Sequence, residues 1–359
     1  MDYTELIYWW LIPLIIIAFY YKKSLASLLC IYVLCSSIFV IFNPASTSPN
    51  NQKVTTIDRS VEPPKYIEVM SRDVLRIQSA MAIIVAIITV MFALKMHQKA
   101  AAICAIACVI GCAVIIYNKL FSEFPIGICL NTSVDGTLMA ILSPFYYSLV
   151  FSHVRKKYWP IVILPIVAAI LTGSSIGVGG TSLAFAIYLF LKFKNSMNNK
   201  LLAALSLTAF ASVMKIAHSK IGEEMLSDTN RIATWKWSMQ WFFEQDYKTI
   251  LFGTGYGTYW AYGPYIQIVK KLVPNKEIFT FMHNDWLELL FELGAVGFAL
   301  AMLVYICALI RAKTAHLQTA LIITGIVSFM NFPLKHVVSG IFVFLIITSA
   351  LTSDKKLVR

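Results

Sequence analysis

Apolar runs of about 15–25 residues recur along the whole chain, and each is long enough to cross the hydrocarbon core of a bilayer. Of the 359 residues, 58% are hydrophobic and only 13% are charged, which is too little polar surface to cover a soluble protein. We count about eleven such runs. They are 6–21, 25–42, 77–95, 100–117, 136–152, 159–172, 178–193, 201–217, 286–310, 315–330 and 337–352. The sequence therefore predicts an all-α polytopic integral membrane protein.

Two long polar segments interrupt these runs, and we treat residues 1–359 as one transmembrane domain that carries both. The first, 43–76, begins rich in Pro, Ser and Asn, and we expect its end, 65–76, to lie as a helix on the membrane surface. The second, 218–285, lies between late spans. Within it, Trp235, Met239 and Phe242 share one helical face, which predicts a helix resting among lipid headgroups.

Basic residues in the short loops predict the orientation. In the eleven-span arrangement, half of the 30 lysines and arginines fall on one side, where Asp354 is the only acidic residue. That side is expected to face the cytoplasm, which places the N-terminus and both long segments outside and the C-terminus inside. The net charge of +12 therefore records topology and gives no reason to invoke nucleic acid.

The cysteines favour packing over metal binding. Cys104, Cys108 and Cys112 share a helix face at four-residue spacing, as small residues do between membrane helices. The sequence has no CxxC pair and no His/Cys cluster, so we expect no metal and no cofactor.

The polar segment 218–285 and the span after it hold the residues most suited to chemistry. Arg231 lies four residues before Trp235, and a turn containing Gly253 and Gly255 follows. His283 then precedes an apolar helix that carries Glu288 and Glu292 in its first two turns. A basic residue, a histidine and a Gly-rich turn at a bilayer surface suggest chemistry on an anionic, lipid-linked substrate.

Two smaller outer features are candidates for substrate contact. Residues 124–136 lead straight into a span, so Asn131 or Asp135 is expected at a helix N-terminus. Residues 172–180 read Thr-Gly-Ser-Ser-Ile-Gly-Val-Gly-Gly, which predicts a tight turn around Ser174 whose backbone can approach a ligand closely.

Over roughly residues 120–310 the chain resembles the bacterial O-antigen ligase and O-antigen polymerase superfamily of membrane glycosyltransferases. The matching residues are Arg231-x-x-x-Trp235, then Gly253-x-Gly255, then His283-Asn284 and Glu292-x-Gly294-x-x-Gly297. Members usually have about twelve spans, so the resemblance allows eleven or twelve here. The order and spacing of these motifs carry the resemblance, since each motif alone is weak.

One departure from the family pattern concerns the turn at Ser174. Members often carry a Ser-Arg pair there, whose arginine helps to hold the donor's diphosphate, but this chain reads Ser174-Ser175. Either another cation binds the donor's diphosphate in place of this arginine, or the donor is held differently. The candidate cations are Arg72, Arg76 and Lys220.

The resemblance implies transfer of a glycan from an undecaprenyl-diphosphate carrier to an acceptor hydroxyl, in a bacterial inner membrane with both long segments in the periplasm. His283 is assigned as general base or acceptor orienter with a pKa near neutrality, and Arg231 as the diphosphate clamp. Glu292 is a candidate for the site or for tuning His283, because ionisable groups deep in a span are costly. Gly253, Gly255, Asn131 and Ser174 are candidate substrate contacts.

Each of these residues also has a plainer interpretation. His283 fits an interfacial histidine near a helix start, and Arg231 fits an arginine that reaches lipid headgroups. Asp285 is expected to be the N-cap of the helix, with Glu288 completing a capping-box pair. Gly253, Gly255 and Gly257 are expected to form a turn first and a phosphate contact second.

The acceptor stays open between lipid A-core, which makes a ligase, and another lipid-linked repeat unit, which makes a polymerase. A protein acceptor, which makes an O-oligosaccharyltransferase, is the third option. We expect inversion at the anomeric carbon, because no carboxylate pair at double-displacement spacing is evident. A transporter or flippase of lipid-linked sugars is the alternative from another class, although apart from Glu292 the ionisable residues cluster in loops.

Overall fold

The computed structural model describes residues 55–58, 65–68, 96, 99–122, 126–193, 229–259, 262–263, 266–267 and 281–352. The chain divides into two compact units, and each is described by itself. The first unit holds the described residues of 1–88 and 229–305, and the second holds those of 89–228 and 306–359. One membrane domain carrying two long outer segments stays a prediction.

The first unit begins with a short antiparallel pair of strands, β1 (Thr55–Asp58) and β2 (Lys65–Glu68), in which Thr55 is opposite Glu68. We expected a surface helix from residue 65, and that expectation is wrong at Lys65–Glu68. Neighbouring β-branched and aromatic residues fit an extended, paired backbone better than a helix. The unit continues with α5 (Thr229–Phe243), α6 (Tyr247–Phe252) and α7 (Asp285–Arg311), whose last residues, from Ile306, belong to the second unit.

The second unit consists of helices in the part of the chain that is described. They are α1 (Ala100–Phe121), α2 (Thr132–His153), a 3-10 helix (Lys156–Ile163), α3 (Leu164–Thr172), α4 (Ser175–Phe193), α8 (Ala315–Val327) and α9 (Val337–Thr352). Pro160 and Pro165 lie where the 3-10 helix and α3 replace one continuous span, since proline removes a helical hydrogen bond.

Four of the described helices are long and apolar enough to cross a membrane: α1, α2, α4 and α7. Three shorter apolar helices cover 160–172, 315–327 and 338–352. These helices fit a multi-pass helical membrane protein. The predicted runs 6–21, 25–42, 77–95 and 201–217 lie outside the described residues, so the total of eleven or twelve spans stays a prediction.

Helix α2 is the centre of the second unit and packs against α1, α3, α4 and α8. Its contact with α4 is backbone to backbone, because a Cβ on Gly177 would lie 2.6 Å from the Cα of Gly136. One turn further, a Cβ on Gly180 would lie 2.9 Å from the side chain of Ala140. Lipid supplies no hydrophobic drive between helices, so such close small-residue contacts are a main source of association energy.

Buried polar side chains of the second unit bond within it. Asp135 is fully buried and accepts the backbone N–H groups of Gly127 and Cys129 at 2.7 and 2.8 Å, which fixes the turn before α2. Asn331, just after α8, donates to the hydroxyls of Thr137 and Ser133 at 2.6 and 3.1 Å. The predicted packing face of α1 is also confirmed, since Cys104, Cys108 and Cys112 are all buried.

Replacing Gly177 by alanine is expected to lower stability by roughly 1–3 kcal/mol, because the new methyl group must displace the backbone of α2. Thermal unfolding of the purified protein in detergent measures the change. Gly179→Ala is the matched control, since its Cβ meets nothing within 4 Å among the described residues. The control should be neutral or slightly stabilising, because alanine is the better helix former. Equal melting temperatures for both variants would contradict the packing described.

Candidate functional site

The predicted site residues of the first unit surround an aromatic core. The ring of Phe291 on α7 lies 5.2 to 5.8 Å from the rings of Tyr259, Trp241, Phe242 and Tyr262. Ile266 and Met282 complete the buried cluster. Residues from α5, from the segment after α6 and from the start of α7 are thereby packed into one body, which fixes the polar groups attached to it.

The face of α5 that we expected among lipid headgroups packs on this cluster instead. Phe242 is fully buried, and Trp235 and Met239 are partly buried against the cluster. The prediction of an apolar face on α5 is confirmed, but the prediction that lipid headgroups cover it is wrong. An apolar helix face can be covered equally well by protein or by lipid, so the sequence pattern does not distinguish the two.

Helix α7 begins with Asn284 as its cap. The Asn284 side chain accepts the N–H of Leu287 at 3.1 Å, and its backbone carbonyl accepts the N–H of Glu288 at 3.0 Å. The expectation that Asp285 is the N-cap is therefore wrong by one residue. Glu288 does reach back across the helix start, but its carboxylate accepts the N–H of Met282 at 2.9 Å.

His283 stands between this cap and a tightly held Met282. The backbone of His283 has φ 53°, a left-handed conformation that costs a residue with a Cβ roughly 1–2 kcal/mol. The carbonyl of Met282 accepts a hydrogen bond from the indole N–H of Trp235 on α5. His283 is thus held in an unfavourable conformation by bonds to its neighbours in the chain, a pattern found at functional sites.

The imidazole of His283 lies within electrostatic reach of Arg231, at the start of α5. Burial, and then the positive charge of Arg231, lower the pKa of His283 from 6.5 to about 3. We expected a pKa near neutrality, and in the protein without substrate that expectation is wrong. The imidazole is neutral at physiological pH and can accept a proton. These two predicted catalytic residues therefore do come together.

The Gly-rich turn packs against a break in α7. Gly294 has φ 65° inside the helix, so the carbonyls of Phe291 and Glu292 are available to partners outside it. The N–H groups of Thr254 and Gly255 donate to these two carbonyls at 3.1 and 2.9 Å. The turn therefore supplies hydrogen-bond donors to the two carbonyls at the helix break, as backbone groups removed from water require.

The contact at this break is so close that only glycine fits. A Cβ on Gly253, whose φ is 82°, would lie 2.1 Å from the carbonyl oxygen of Glu292. A Cβ on Gly294 would lie 2.4 Å from the nitrogen of Gly253. The predicted turn is present, and the N–H of Gly253 is also occupied, by the carbonyl of Thr249 at 2.8 Å. Substrate contact by Gly253 or Gly255 stays a prediction.

Glu292 is fully buried, and its carboxylate accepts the backbone N–H of Tyr259 at 3.0 Å. The phenol of Tyr259 shares a 2.9 Å hydrogen bond with Ser238 on α5. Burial raises the pKa of Tyr259, and the charges of Glu288 and Glu292 raise it further, against the opposing effect of the Ser238 bond. Glu292 thus has a structural role, because it holds the segment after the turn against α7. Its role in the site stays a prediction.

Sequence reasoning missed three contributors to this arrangement: the indole of Trp235, the carboxylate of Glu288 as a loop anchor, and the pair formed by Tyr259 and Ser238. The four-residue spacing from Arg231 to Trp235 was a signal, since it places both side chains on one helix face. Nothing in the sequence indicated that the indole bonds to the residue before His283.

Asn131 and Ser174 lie in the second unit. The Asn131 side chain accepts the N–H groups of Ser133 and Val134, which confirms a helix N-terminus there. The Ser174 hydroxyl accepts the N–H of Gly177 at 3.1 Å. The turn is shorter than the expected 172–180, because α4 already begins at Ser175. Donor contact by either residue stays a prediction.

The remaining cationic candidates, Arg72, Arg76 and Lys220, lie outside the described residues. Within the residues that are described, no group of three or more His, Cys, Asp and Glu side chains is arranged to hold a metal ion.

The long apolar helices define a multi-pass membrane protein. Its polar site lies at a helix start with buried acidic residues, next to a histidine that is within electrostatic reach of an arginine. A family model described as O-Antigen ligase matches residues 124–302. Through this segment the chain belongs to the O-antigen ligase and polymerase superfamily, as its motifs indicated. No curated protein and no solved structure matches the chain.

Family membership supports glycan transfer in O-antigen and lipopolysaccharide biosynthesis, by a membrane enzyme that uses lipid-linked glycans. The matched segment contains Arg231, His283 and Glu292, together with Gly253 and Gly255. Arg72 and Arg76 lie outside it.

Gly294→Ala is expected to be more damaging than Gly257→Ala. Both glycines have positive φ, but only Gly294 would press a methyl group into backbone, whereas Gly257 has open space around its Cβ among the described residues. We expect a loss of about 1 kcal/mol for Gly257→Ala, from backbone strain alone, and a markedly larger loss for Gly294→Ala. Thermal unfolding, with the yield of folded protein, checks this order, and the reverse order would contradict the docked turn.

The lowered pKa of His283 predicts a pH effect on stability. The unfolded chain takes up a proton on this residue as pH falls below 6.5, while the folded protein does so only near pH 3. Stability contributed by the neutral imidazole is therefore complete above pH 6.5 and is lost as pH falls from 6.5 towards 3. Melting temperatures at pH 7 and 5 should differ less in His283→Gln than in wild type. An equal difference in both would contradict the assignment.

Proposed function

We propose that this protein transfers a glycan from an undecaprenyl-diphosphate carrier to an acceptor hydroxyl, at the outer face of a bacterial inner membrane. The observation that carries the proposal is a neutral, partly buried His283 within electrostatic reach of Arg231, inside the segment that matches the O-antigen ligase family. The acceptor is lipid A-core or another lipid-linked repeat unit.

Arg231 binds the diphosphate of the donor in this proposal. Negative charge grows on the leaving diphosphate as the glycosidic bond breaks, and a guanidinium in a partly dehydrated site stabilises that charge. Its planar fork can bind two phosphate oxygens at once, which a lysine cannot do.

His283 accepts the proton of the acceptor hydroxyl. The hydroxyl oxygen attacks the anomeric carbon, the bond to the diphosphate oxygen breaks, and the hydroxyl proton passes to the imidazole. A donor diphosphate offsets the charge of Arg231, so its binding raises the pKa of His283 and makes the imidazole a stronger base. Base strength is thereby coupled to donor binding, and an empty site holds a weak base.

The reaction proceeds by direct displacement with inversion, without a metal. A positioned base and a good leaving group suffice for such a step. Capture of a covalent glycosyl-enzyme intermediate would overturn this part of the proposal. Arg72, Arg76 and Lys220 remain candidates for a second cation at the diphosphate, with Asn131 and Ser174 as further contacts.

Complementation of a deletion strain tests the proposal. Lipopolysaccharide gels are run for the deletion strain carrying wild type, His283→Ala or Arg231→Gln. We expect both variants to lose the wild-type ladder. Removing a general base typically costs ~10²–10⁴-fold in rate, and Arg231→Gln removes the charge that stabilises the leaving diphosphate. His153→Ala and Arg311→Gln are the matched controls, because both residues are exposed and lie outside the first unit. Both controls should restore the ladder.

The gel of the deletion strain also distinguishes the acceptors. Core carrying a single repeat unit indicates a polymerase, whereas bare core with long glycan left on the carrier indicates a ligase. An unchanged ladder in the deletion strain would overturn both and leave protein glycosylation or transport. Loss of transfer in His283→Ala with unchanged flipping of the donor would exclude transport.

A further inference from the structure

Both polar backbone groups of Met282, the residue before His283, are held by side chains from different helices. Its N–H donates to the Glu288 carboxylate on α7 at 2.9 Å, and its carbonyl accepts the Trp235 indole N–H from α5. Met282 is itself 1% exposed. These two bonds are called the Met282 clamp below.

The clamp acts on His283 from one side, and the helix cap acts from the other. The Met282 carbonyl belongs to the peptide group that joins Met282 to His283, and Asn284 is fixed as the first residue of the α7 cap. With the peptide groups on both sides held, φ 53° at His283 follows from its surroundings rather than from its own preference. Loosening either bond would let the backbone relax towards negative φ and turn the imidazole away.

The clamp also sets the distance between the two predicted catalytic residues. Trp235 lies one helical turn after Arg231 on α5, so its indole bond ties the arginine's helix to the histidine's backbone. Ser238, a further turn along, bonds to Tyr259, whose N–H is held by Glu292 of α7. Two separate links thus join α5 to the first two turns of α7.

We propose that Trp235 and Glu288 are positioning residues that hold His283 against Arg231 in the geometry needed for proton transfer. This inference rests on the proposed function, since it specifies how that site is held. Neither side chain needs to touch the substrate. Trp235 acts through its N–H donor as well as its ring, and Glu288 acts as a hydrogen-bond acceptor for the loop rather than as an acid.

A double-mutant cycle tests the role of Trp235. Full-length protein in lipid vesicles is assayed with undecaprenyl-diphosphate-linked glycan and purified acceptor. Trp235→Phe keeps a ring in the core but removes the N–H, and kcat should fall about 10- to 100-fold with KM little changed, as misplacement of a catalytic group by about 1 Å does. In a His283→Ala background the same exchange should cost no more than about twofold, because residues acting as a unit are not additive.

Two controls separate positioning from packing. Trp241→Phe makes the same exchange on α5, where the indole stacks on Phe291 at 5.5 Å, and should leave kcat within about threefold. Glu288→Gln retains an acceptor oxygen and should keep most of the activity, whereas Glu288→Ala should lose it. A loss for Trp235→Phe that is as large with His283→Ala as without it would overturn the proposal. Equal losses for Glu288→Gln and Glu288→Ala would also overturn it.

A second measurement does not depend on transfer. Diethylpyrocarbonate modifies neutral imidazoles, and its rate at His283 can be compared with that at the exposed His153 by mass spectrometry. Trp235→Phe and Glu288→Ala should increase the relative rate at His283, and Glu288→Gln should not. If the wild-type protein transfers no glycan while these rates change as expected, the proposed function fails and the clamp stands. If the wild-type protein is active but the modification rate at His283 is unchanged in both Trp235→Phe and Glu288→Ala, the proposed role of the clamp is overturned and the proposed function stands.

Discussion

Direct contact between the backbones of Gly253 and Gly294 determines how the first unit is arranged. It requires α7 to break after its second turn, and it brings the turn after α6 onto the two carbonyls that the break exposes. The chain leaving the turn reaches Tyr259 at the level of Glu292, which holds its N–H. Because Tyr259 in turn bonds to Ser238, the position of α5, and hence of Arg231, follows from the same contact.

The electrostatics of this unit depend on that packing. The side chains of Asp285, Glu288 and Glu292, at the start of α7, are each at most 1% exposed. Charges removed from water interact strongly, so a change at one of them is felt by the others. Burial and the positive charge of Arg231 keep His283 neutral, which is the form that a base needs before the substrate arrives. An anionic donor would change this balance at the moment when proton transfer is required.

Local and composition-based features of the fold could be predicted from the sequence, whereas contacts between distant segments could not. The described spans, the packing face of Cys104 to Cys112 and the helix start at Asn131 followed from period, length and capping chemistry. The clamp on Met282 could not be predicted, because it joins an indole to a carbonyl 47 residues away through tertiary packing alone. The face of α5 was misassigned because amphipathicity does not say whether protein or lipid covers it. The cap of α7 was one residue out because Asn284 and Asp285 are equally good caps by type.

The amide of Asn331 has a consequence for the order in which the second unit is made. It bonds to the buried hydroxyl of Thr137, 194 residues earlier in the chain. Thr137 has a hydrogen-bond partner before Asn331 is synthesised, because its hydroxyl also donates to the carbonyl of Ser133 within α2 at 2.9 Å. The Thr137 hydroxyl can therefore enter the bilayer with a partner inside α2, before α8 is synthesised. The bonds from Asn331 to α2 form only after residue 331 is synthesised. A chain truncated before this residue would insert its earlier spans but would lack these bonds.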